Sequence, residues 1–282
     1  MTKTLNQNDF RNIILGGTDH IAILTLVGDA VSGDDNTRKM CVLHADMIDQ
    51  IFYALQVIRE DEMIRCVIIT GMGKTFVAGA DINEILELDN TTGESGGEVF
   101  SSSGHNLMMY IRNFPKPVIA AVNGFALGGG YELACACHII LASDKAKIGQ
   151  PEVSLGVIAG FGGTQILPRR VGVGNALLLL LTGDIIPAKE AYDLGLVQKV
   201  IITNGNGNDE LLDVALDMAT RICKNGPQAM KLTLHAVIGG LELPDLNTAL
   251  EFEADHFRRA CDEEKNEGCI AYREKREPTF SV

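Results

Sequence analysis

The sequence predicts an α/β fold in which the strands of a sheet support loops at their ends. Short apolar runs alternate with longer helical segments up to about residue 207. One run, 65–70, is almost unbroken and β-branched, which is typical of a strand covered on both faces. Pro115 and Pro117 stop a helical segment directly before another apolar run. This alternation of strand and helix is the basis of the α/β prediction.

The individual elements follow in order along the chain. Strands are predicted at 21–27, 65–70, 117–122 and 138–142, and a helix at 43–59. Beyond Asn208, helices are predicted at 209–224, 228–241 and 246–266, with Gly-Pro and Leu-Pro pairs between them. We therefore expect a core domain of residues 1–207 and a C-terminal helical region of residues 208–282. Such a region commonly covers a site or builds an oligomer interface.

Composition and charge limit the classes of protein that fit. The chain has 282 residues, is 46% hydrophobic and carries a formal net charge of −13. This charge argues against nucleic acid and anionic membrane as main partners, because both require basic surface. Residues 1–11 lack the apolar stretch of a signal peptide, and the most apolar run, 176–181, is far shorter than the ~20 residues that cross a bilayer. Seven scattered cysteines fit reduced thiols, so we expect a cytoplasmic protein.

The histidines and cysteines do not predict a metal site. The six histidines show no HExxH pattern. Cys135 and Cys137 would point to nearly opposite faces of a helix, so both are interpreted as core residues. A different feature is the segment Asp89 to Gly104, which is rich in Gly, Ser and Thr and predicts either an active-site lid or a surface loop.

Three segments carry candidate chemistry, and the first is Gly73 to Asp81, directly after a predicted strand. Gly79 allows the backbone to approach a ligand, and Asp81 can cap a helix that begins near Ile82. Peptide N–H groups of this loop would be available to an oxyanion. An ordinary strand-to-helix turn explains the segment equally well.

The other two segments each carry a carboxylate. Three glycines, 128–130, precede an apolar helix with Glu132 in its first turn, and a helix N-terminus offers free N–H donors and a positive dipole end. Glu152 follows Pro151 in a short turn and by itself could be a surface carboxylate. Together, two donor loops and two carboxylates suit acyl chemistry. Enolate formation needs donors at the carbonyl oxygen and acid/base groups near the adjacent carbons.

These segments resemble the crotonase (enoyl-CoA hydratase/isomerase) superfamily. The resemblance extends from about Ile21 to Phe280 and is most specific at 78–81 and 127–132, with a further match at 267–276. It implies a crotonase-like spiral of ββα units with a C-terminal helical trimerisation region. The partners it implies are further copies of the chain, in a homotrimer or a dimer of trimers.

The resemblance also implies the roles of individual residues. The peptide N–H groups of Ala80 and Gly129 would form the oxyanion hole, and Glu132 and Glu152 would be the two catalytic glutamates. Lys74 and Lys275 would lie near the phosphates of coenzyme A, although both could equally be solvated surface lysines. The substrate-binding positions implied are Lys74, Ala78, Asp81, Ile82, Gly128, Gly160 and Lys275.

The presence of both glutamates favours hydration of a 2-enoyl-CoA to a 3-hydroxyacyl-CoA. In the hypothesis, both carboxylates hold one water, which attacks C3 while the thioester oxygen becomes enolate-like. Glu152 acts as base for that water and supplies the proton to C2, and Glu132 orients and polarises the water. Neither a metal nor a redox cofactor is expected, because coenzyme A enters as part of the substrate.

Three departures from the family pattern leave the acyl group open. The stretch Gly28 to Cys41 replaces the usual pattern near the adenine, Asn83 stands where many hydratases carry Lys, and Ala159 replaces a frequent Pro. The alternatives are isomerisation or hydrolysis of an acyl-CoA, an inactive scaffold, or RNA binding as in one relative. RNA binding needs a basic helical face, and Arg112 is the sole Lys or Arg between Ile85 and Phe114.

Overall fold

The computed structural model describes residues 7, 10–18, 20–31, 34–88, 95–204 and 208–280. The strands in these ranges are β1 Ile13–Thr18, β2 Ile21–Leu26, β3 Ala30–Val31, β4 Asp34–Arg38, β5 Cys66–Gly71, β6 Thr75–Val77, β7 Val118–Val122, β8 Phe125–Leu127, β9 Ile139–Ser143, β10 Lys147–Gly149, β11 Ile185–Pro187 and β12 Lys199–Ile201. The helices are α1 Ala45–Glu60, α2 Ile82–Leu86, α3 Gly96–Arg112, α4 Gly129–Ala136, α5 Gly163–Thr182, α6 Ala188–Asp193, α7 Asn208–Cys223, α8 Pro227–Gly240, α9 Leu246–Glu263 and α10 Lys265–Glu274, with a 3-10 helix at Pro151–Leu155. The alternation of strands and helices confirms the predicted α/β class.

A six-stranded sheet forms the centre of the fold, in the order β1-β2-β5-β7-β9-β12. β1 is antiparallel to β2, and the other pairs are parallel. All six residues of β5 are buried, as its unbroken apolar run predicts. β1 was not predicted, because it carries two glycines and five of its six residues are exposed or half-exposed.

A second sheet of three-residue strands, in the order β11-β10-β8-β6, positions the loops. β6, β8 and β10 are parallel neighbours, so the segments that follow them leave the same edge of the sheet. Those segments are the loop 78–81, the start of α4, and the 3-10 helix Pro151–Leu155. The topology therefore brings together three stretches that are far apart in the sequence.

The helices predicted after Asn208 are confirmed, with one difference. The predicted helix 246–266 ends at Glu263, and a separate α10 follows. α7 packs on one face of the six-stranded sheet through Leu211, Ala215 and Ala219. The domain division at residue 207 stays a prediction. None of the helices in the described ranges has the length and hydrophobicity needed to cross a membrane.

The prediction of a loop at Asp89 to Gly104 is wrong for its second half. Residues 96–104 belong to α3, whose buried face comprises Gly104, Leu107, Met108 and Ile111. Packing of this face against the core outweighs the weak helix propensity of the Gly and Ser residues before it. Residues 89–94 lie outside the described residues.

Candidate active site

A cavity of about 540 Å³ opens at the edge where β6, β8 and β10 end. Its walls are mostly apolar, and two carboxylates line it, one from α4 and one from the 3-10 helix. The predicted site residues that line it are Ala78, Ala80, Ile82, Gly128, Gly129, Glu132, Glu152 and Gly160. The apolar side chains around them are Ile82, Ile85, Leu88, Phe100, Leu155, Val157, Ile158 and Phe161. A cavity of this composition suits an apolar ligand with a few polar groups at one end.

Two peptide N–H groups meet at one side of the cavity. The loop after β6 is fixed by hydrogen bonds from Ala78 N to the Cys41 oxygen (2.8 Å) and from Asp81 N to the Leu43 oxygen (2.9 Å). In the described part of the chain, Ala80 N has no backbone acceptor. Gly129 is the first residue of α4, and a Cβ on it would lie 3.3 Å from Ala80 N. The two donors are therefore neighbours and both are available to an oxyanion.

The three consecutive glycines of this segment each have a structural reason. Gly128 has φ +50°, and a Cβ there would lie 2.9 Å from Oε1 of Glu152. A Cβ on Gly129 would lie 3.1 Å from the Phe161 ring, and one on Gly130 would lie 2.1 Å from the Val77 oxygen. The positive φ of Gly128 and the close approach of backbone at Gly130 therefore require glycine, and Gly129 leaves room for the Phe161 ring.

Glu132 is held deep in the protein, with 1% of its surface exposed. Its Oε1 accepts hydrogen bonds from Phe161 N at 2.8 Å and from Gly163 N at 2.6 Å. Burial raises the pKa of Glu132 to about 8, and the negative charge of Glu152 acts in the same direction. The two N–H donors oppose this shift because they stabilise the ionised form.

Glu152 lies on the 3-10 helix and is partly buried, which raises its pKa above the ordinary value. The side chain of Gln150 is fully buried beside it. With the Gln150 amide oriented to satisfy both of its ends, Nε2 donates to Glu152 Oε1 at 2.9 Å and to Oε2 at 3.1 Å. The sequence reasoning missed Gln150. A buried amide directly before Pro151 carries no pattern of its own.

Three predicted site residues do not line the cavity. Asp81 caps α2, where its Oδ1 accepts from Asn83 N at 2.8 Å. Lys74 is exposed in the turn between β5 and β6. Lys275 is exposed at the end of α10, with φ 57°. Contact of the two lysines with coenzyme A stays a prediction.

Among the residues of the cavity wall that were not predicted as site residues are Phe100, Ser101 and Phe161. Phe100 and Ser101 come from α3, and Phe161 from the glycine-rich segment before α5. The rings of Phe100 and Phe161 are in contact, with centroids 5.1 Å apart. The sequence assigned Phe100 and Ser101 to a loop, so their helical face was not recognisable.

The described residues contain no cluster of three or more His, Cys, Asp or Glu side chains that could hold a metal ion. Cys135 and Cys137 are buried in the core, and burial raises the pKa of the Cys137 thiol to about 12. His138 lies in the connection before β9 and its Nδ1 accepts from Val118 N at 2.9 Å. The side chains in this region therefore have structural partners.

Comparisons with known proteins agree with this geometry. Residues 35–282 match the family model described as enoyl-CoA hydratase/isomerase. The short-chain-enoyl-CoA hydratase of Clostridium acetobutylicum is 38% identical, over 95% of this chain and 97% of that protein. The crotonyl-CoA hydratase of Syntrophomonas wolfei is 40% identical, over 96% of this chain and 98% of that protein.

A solved structure extends the similarity to the fold. The crystal structure of an enoyl-CoA hydratase from Bacillus anthracis superposes with a TM-score of 0.84 at 34% identity, covering 95% of this chain and 98% of that one. The crotonase-like fold with a C-terminal helical region, expected from the sequence, is thereby confirmed. The chain belongs to the enoyl-CoA hydratase/isomerase family.

Proposed function

We propose that this protein is an enoyl-CoA hydratase, which adds water across the 2,3 double bond of a 2-enoyl-CoA to give a 3-hydroxyacyl-CoA. The observation that carries the proposal is that Glu132 and Glu152 line one cavity together with the paired donors Ala80 and Gly129. Hydration needs both kinds of group at one place. The hydratase names of the Clostridium and Syntrophomonas relatives support the same reaction.

The reaction assigns a role to each group around the cavity. The thioester oxygen lies against the N–H groups of Ala80 and Gly129, which stabilise the enolate-like charge. Glu132 Oε1 is occupied by two N–H bonds, so Oε2 is the oxygen left to hold the water. Glu152 takes a proton from the water while the water oxygen bonds to C3. Glu152 then delivers a proton to C2. One water thus supplies both the hydroxyl and the hydrogen that are added, and Glu152 ends in its starting state.

The two donors should matter as much as the carboxylates. Loss of one oxyanion donor typically costs about 3 kcal/mol of transition-state stabilisation. Loss of a general acid/base group typically costs about 10²- to 10⁴-fold in rate. The apolar walls exclude water from the rest of the cavity, which strengthens both interactions.

The test is hydration of crotonyl-CoA, followed by loss of the enoyl-thioester absorbance and by identification of the product. We expect 3-hydroxybutyryl-CoA from the wild type and a rate lower by about 10²-fold or more in Glu132→Gln and Glu152→Gln. Glu190→Gln, which removes a carboxylate on α6 that is not part of the cavity lining, is the control and should react at the wild-type rate. A double-bond isomer or free coenzyme A as the main product would contradict hydration.

We further propose that Lys74 and Lys275 contact the phosphates of coenzyme A and that no metal or redox cofactor takes part. Both lysines are exposed, so a polyanionic ligand can reach them. Replacing either by Ala should raise KM for crotonyl-CoA with little change in kcat, because the phosphates lie away from the reacting atoms. Incubation with EDTA should leave the rate unchanged. An unchanged KM in both variants would show that the two lysines do not contact coenzyme A.

Finally, we propose a cytoplasmic homotrimer or dimer of trimers that acts in fatty acid β-oxidation. Several large apolar side chains are exposed on α5 and on the C-terminal helices, among them Leu181 at 70% and Phe257 at 72%. Exposed apolar surface of this extent is typical of an interface between subunits. All seven cysteines are free thiols, which fits a reducing compartment.

A further inference from the structure

The peptide unit that joins Gly160 to Phe161 is hydrogen-bonded at both ends. Its carbonyl oxygen accepts a hydrogen bond from Ser101 Oγ at 2.5 Å. Its N–H donates to Oε1 of Glu132 at 2.8 Å. A side chain of α3 is therefore linked through one peptide group to the buried carboxylate.

This link strengthens the hold on Glu132. A hydrogen bond to a peptide oxygen polarises the amide and makes its N–H a better donor, so chains of hydrogen bonds reinforce one another. Glu132 depends on its N–H donors more than an exposed carboxylate would, because its other surroundings disfavour the charged form. The second donor, Gly163 N, does not depend on Ser101.

The geometry also argues against a nucleophilic role for Ser101. His105 lies one turn further along α3, with Nε2 3.4 Å from Ser101 Oγ. Serine has a single hydroxyl proton, and the short contact to the Gly160 oxygen uses it. The hydroxyl therefore has no proton left to give to His105, and the imidazole can act towards Oγ as a donor. This is the reverse of the arrangement that activates a serine.

We propose that Ser101 is a positioning residue for hydration, which acts through the Gly160–Phe161 peptide to fix Glu132 with one oxygen towards the water. The assignment rests on the proposed function. Ser101 itself bonds neither to Glu132 nor to the second donor. Its effect is to fix the direction and strength of the hydrogen bond that Phe161 N–H donates to Glu132.

Replacing Ser101 should leave the fold in place, because α3 holds Phe161 by other contacts. The Phe161 ring packs against Phe100 and over Gly104, where a Cβ would lie 2.0 Å from Cδ1. Ser103→Ala is a matched control. Ser103 Oγ donates to a backbone oxygen of α3 itself, that of Phe100, at 2.7 Å.

The first measurement is a double-mutant cycle on crotonyl-CoA hydration with Ser101→Ala, Glu132→Gln and the double variant. We expect Ser101→Ala to lower kcat about tenfold with KM within about twofold, and Ser103→Ala to behave as the wild type. In the Glu132→Gln background, the decrease in log kcat caused by Ser101→Ala should be less than half of the decrease seen with Glu132 present. Equal effects in both backgrounds, or no effect of Ser101→Ala, would overturn the proposal.

The second measurement does not need the reaction. The free energy of unfolding in urea is followed from pH 5 to pH 10 in the wild type and in Ser101→Ala. A weaker N–H donor raises the pKa of Glu132, so the fall in stability with rising pH should extend to higher pH in Ser101→Ala. The two pH profiles should coincide when both proteins also carry Glu132→Gln. Wild-type protein inactive on enoyl-CoA thioesters would refute the proposed function, whereas identical profiles for Ser101→Ala and wild type would refute the link to Glu132.

Discussion

At the scale of single residues, the candidate site contains a buried carboxylate whose charged form is disfavoured by the folded protein. Glu132 is a carboxylate with almost no exposed surface, next to a second carboxylate. Two N–H donors offset part of the free-energy cost of ionising Glu132, but the effect of burial is larger, so the pKa remains raised. The same burial that destabilises the charge makes each hydrogen bond to it stronger. Ionised Glu132 therefore lowers the stability of the fold, and the proposed role in holding the water would account for this cost.

This conflict gives a pH-dependent prediction for Glu132→Gln. The pKa of Glu132 is about 8 in the folded protein, against an ordinary value of 4.5. Between these values the unfolded chain has lost the proton and the folded chain keeps it, so rising pH lowers the stability of the wild type. Glu132→Gln has no group that titrates at this position, so its stability does not fall in this way. Above pH 8 its free energy of unfolding should exceed that of the wild type by up to about 5 kcal/mol.

Urea unfolding at pH 4.5 and at pH 9 measures this difference. The gap between the two proteins should almost close at the lower pH, where Glu132 is protonated in the folded chain and still half protonated in the unfolded chain. A gap that is the same at both values would show that burial does not control the titration of Glu132.

Gly128→Ala tests the approach of backbone to Glu152. The position has φ +50°, which disfavours any side chain, and a Cβ would lie 2.9 Å from the Glu152 oxygen. We expect kcat for hydration to fall about 100-fold, because displacement of the carboxylate by a fraction of an ångström disrupts its alignment. Gly174→Ala, with no atom within 4 Å of the new Cβ, is the control. Wild-type kinetics for Gly128→Ala would contradict the close approach.

At the scale of elements, the site is built where three short parallel strands end together. β6, β8 and β10 each contribute the segment that follows, and none of these strands is longer than three residues. α3 closes the cavity from the other side through Phe100 and Ser101. The relative placement of α3 and the segment before α5 therefore decides how Glu132 is held.

Gly104→Ala tests this contact between α3 and Phe161. The added Cβ would lie 2.0 Å from the ring, so the ring and its backbone N–H must move. We expect the free energy of unfolding to fall by about 1–3 kcal/mol, as for other overpacked cores. The rate of hydration should fall as well, since the same residue donates to Glu132. A crystal structure of the variant with Phe161 unmoved would contradict this account.

At the scale of the whole molecule, large apolar side chains are exposed on several helices. On α5 these include Val173, Leu178 and Leu181, all more than half exposed. The net charge of −13 would keep separate chains apart, so the proposed association would depend on these apolar faces. The faces lie on α5 and on the helices that follow Asn208, away from the buried sheet.

Sedimentation equilibrium should give a mass that is a multiple of three times the chain mass of 30.4 kDa. Leu178→Asp combined with Leu181→Asp should reduce this mass, because two carboxylates would be buried without partners in the interface. Asn175→Asp, on the same helix and already polar, should leave the mass unchanged. A monomeric wild type would refute the oligomer and leave the exposed leucines without an explanation.

The local pattern of the sequence was sufficient for much of this architecture. The strand 65–70, the helix 43–59 and the C-terminal helices are recognisable because their periodicity and their boundaries lie within a few neighbouring residues. Glu132 and Glu152 were recognisable as candidates because each stands close to glycine or proline, and the family resemblance implied their catalytic roles. β1 and the helical start of α3 were missed, since their glycines and serines favour loops and only packing compensates.

The sequence by itself determined the family, and it made the two carboxylates and the two donor loops candidates, because each of these motifs consists of residues close together in the chain. The tertiary structure decided which groups meet. Ser101 and Gly160 are 59 residues apart, and Phe161 and Glu132 are 29 apart. Contacts over such distances depend on how the strands pair and how the helices pack, and local periodicity carries no information about either. For this reason, the link from α3 to the buried glutamate is visible in the fold alone.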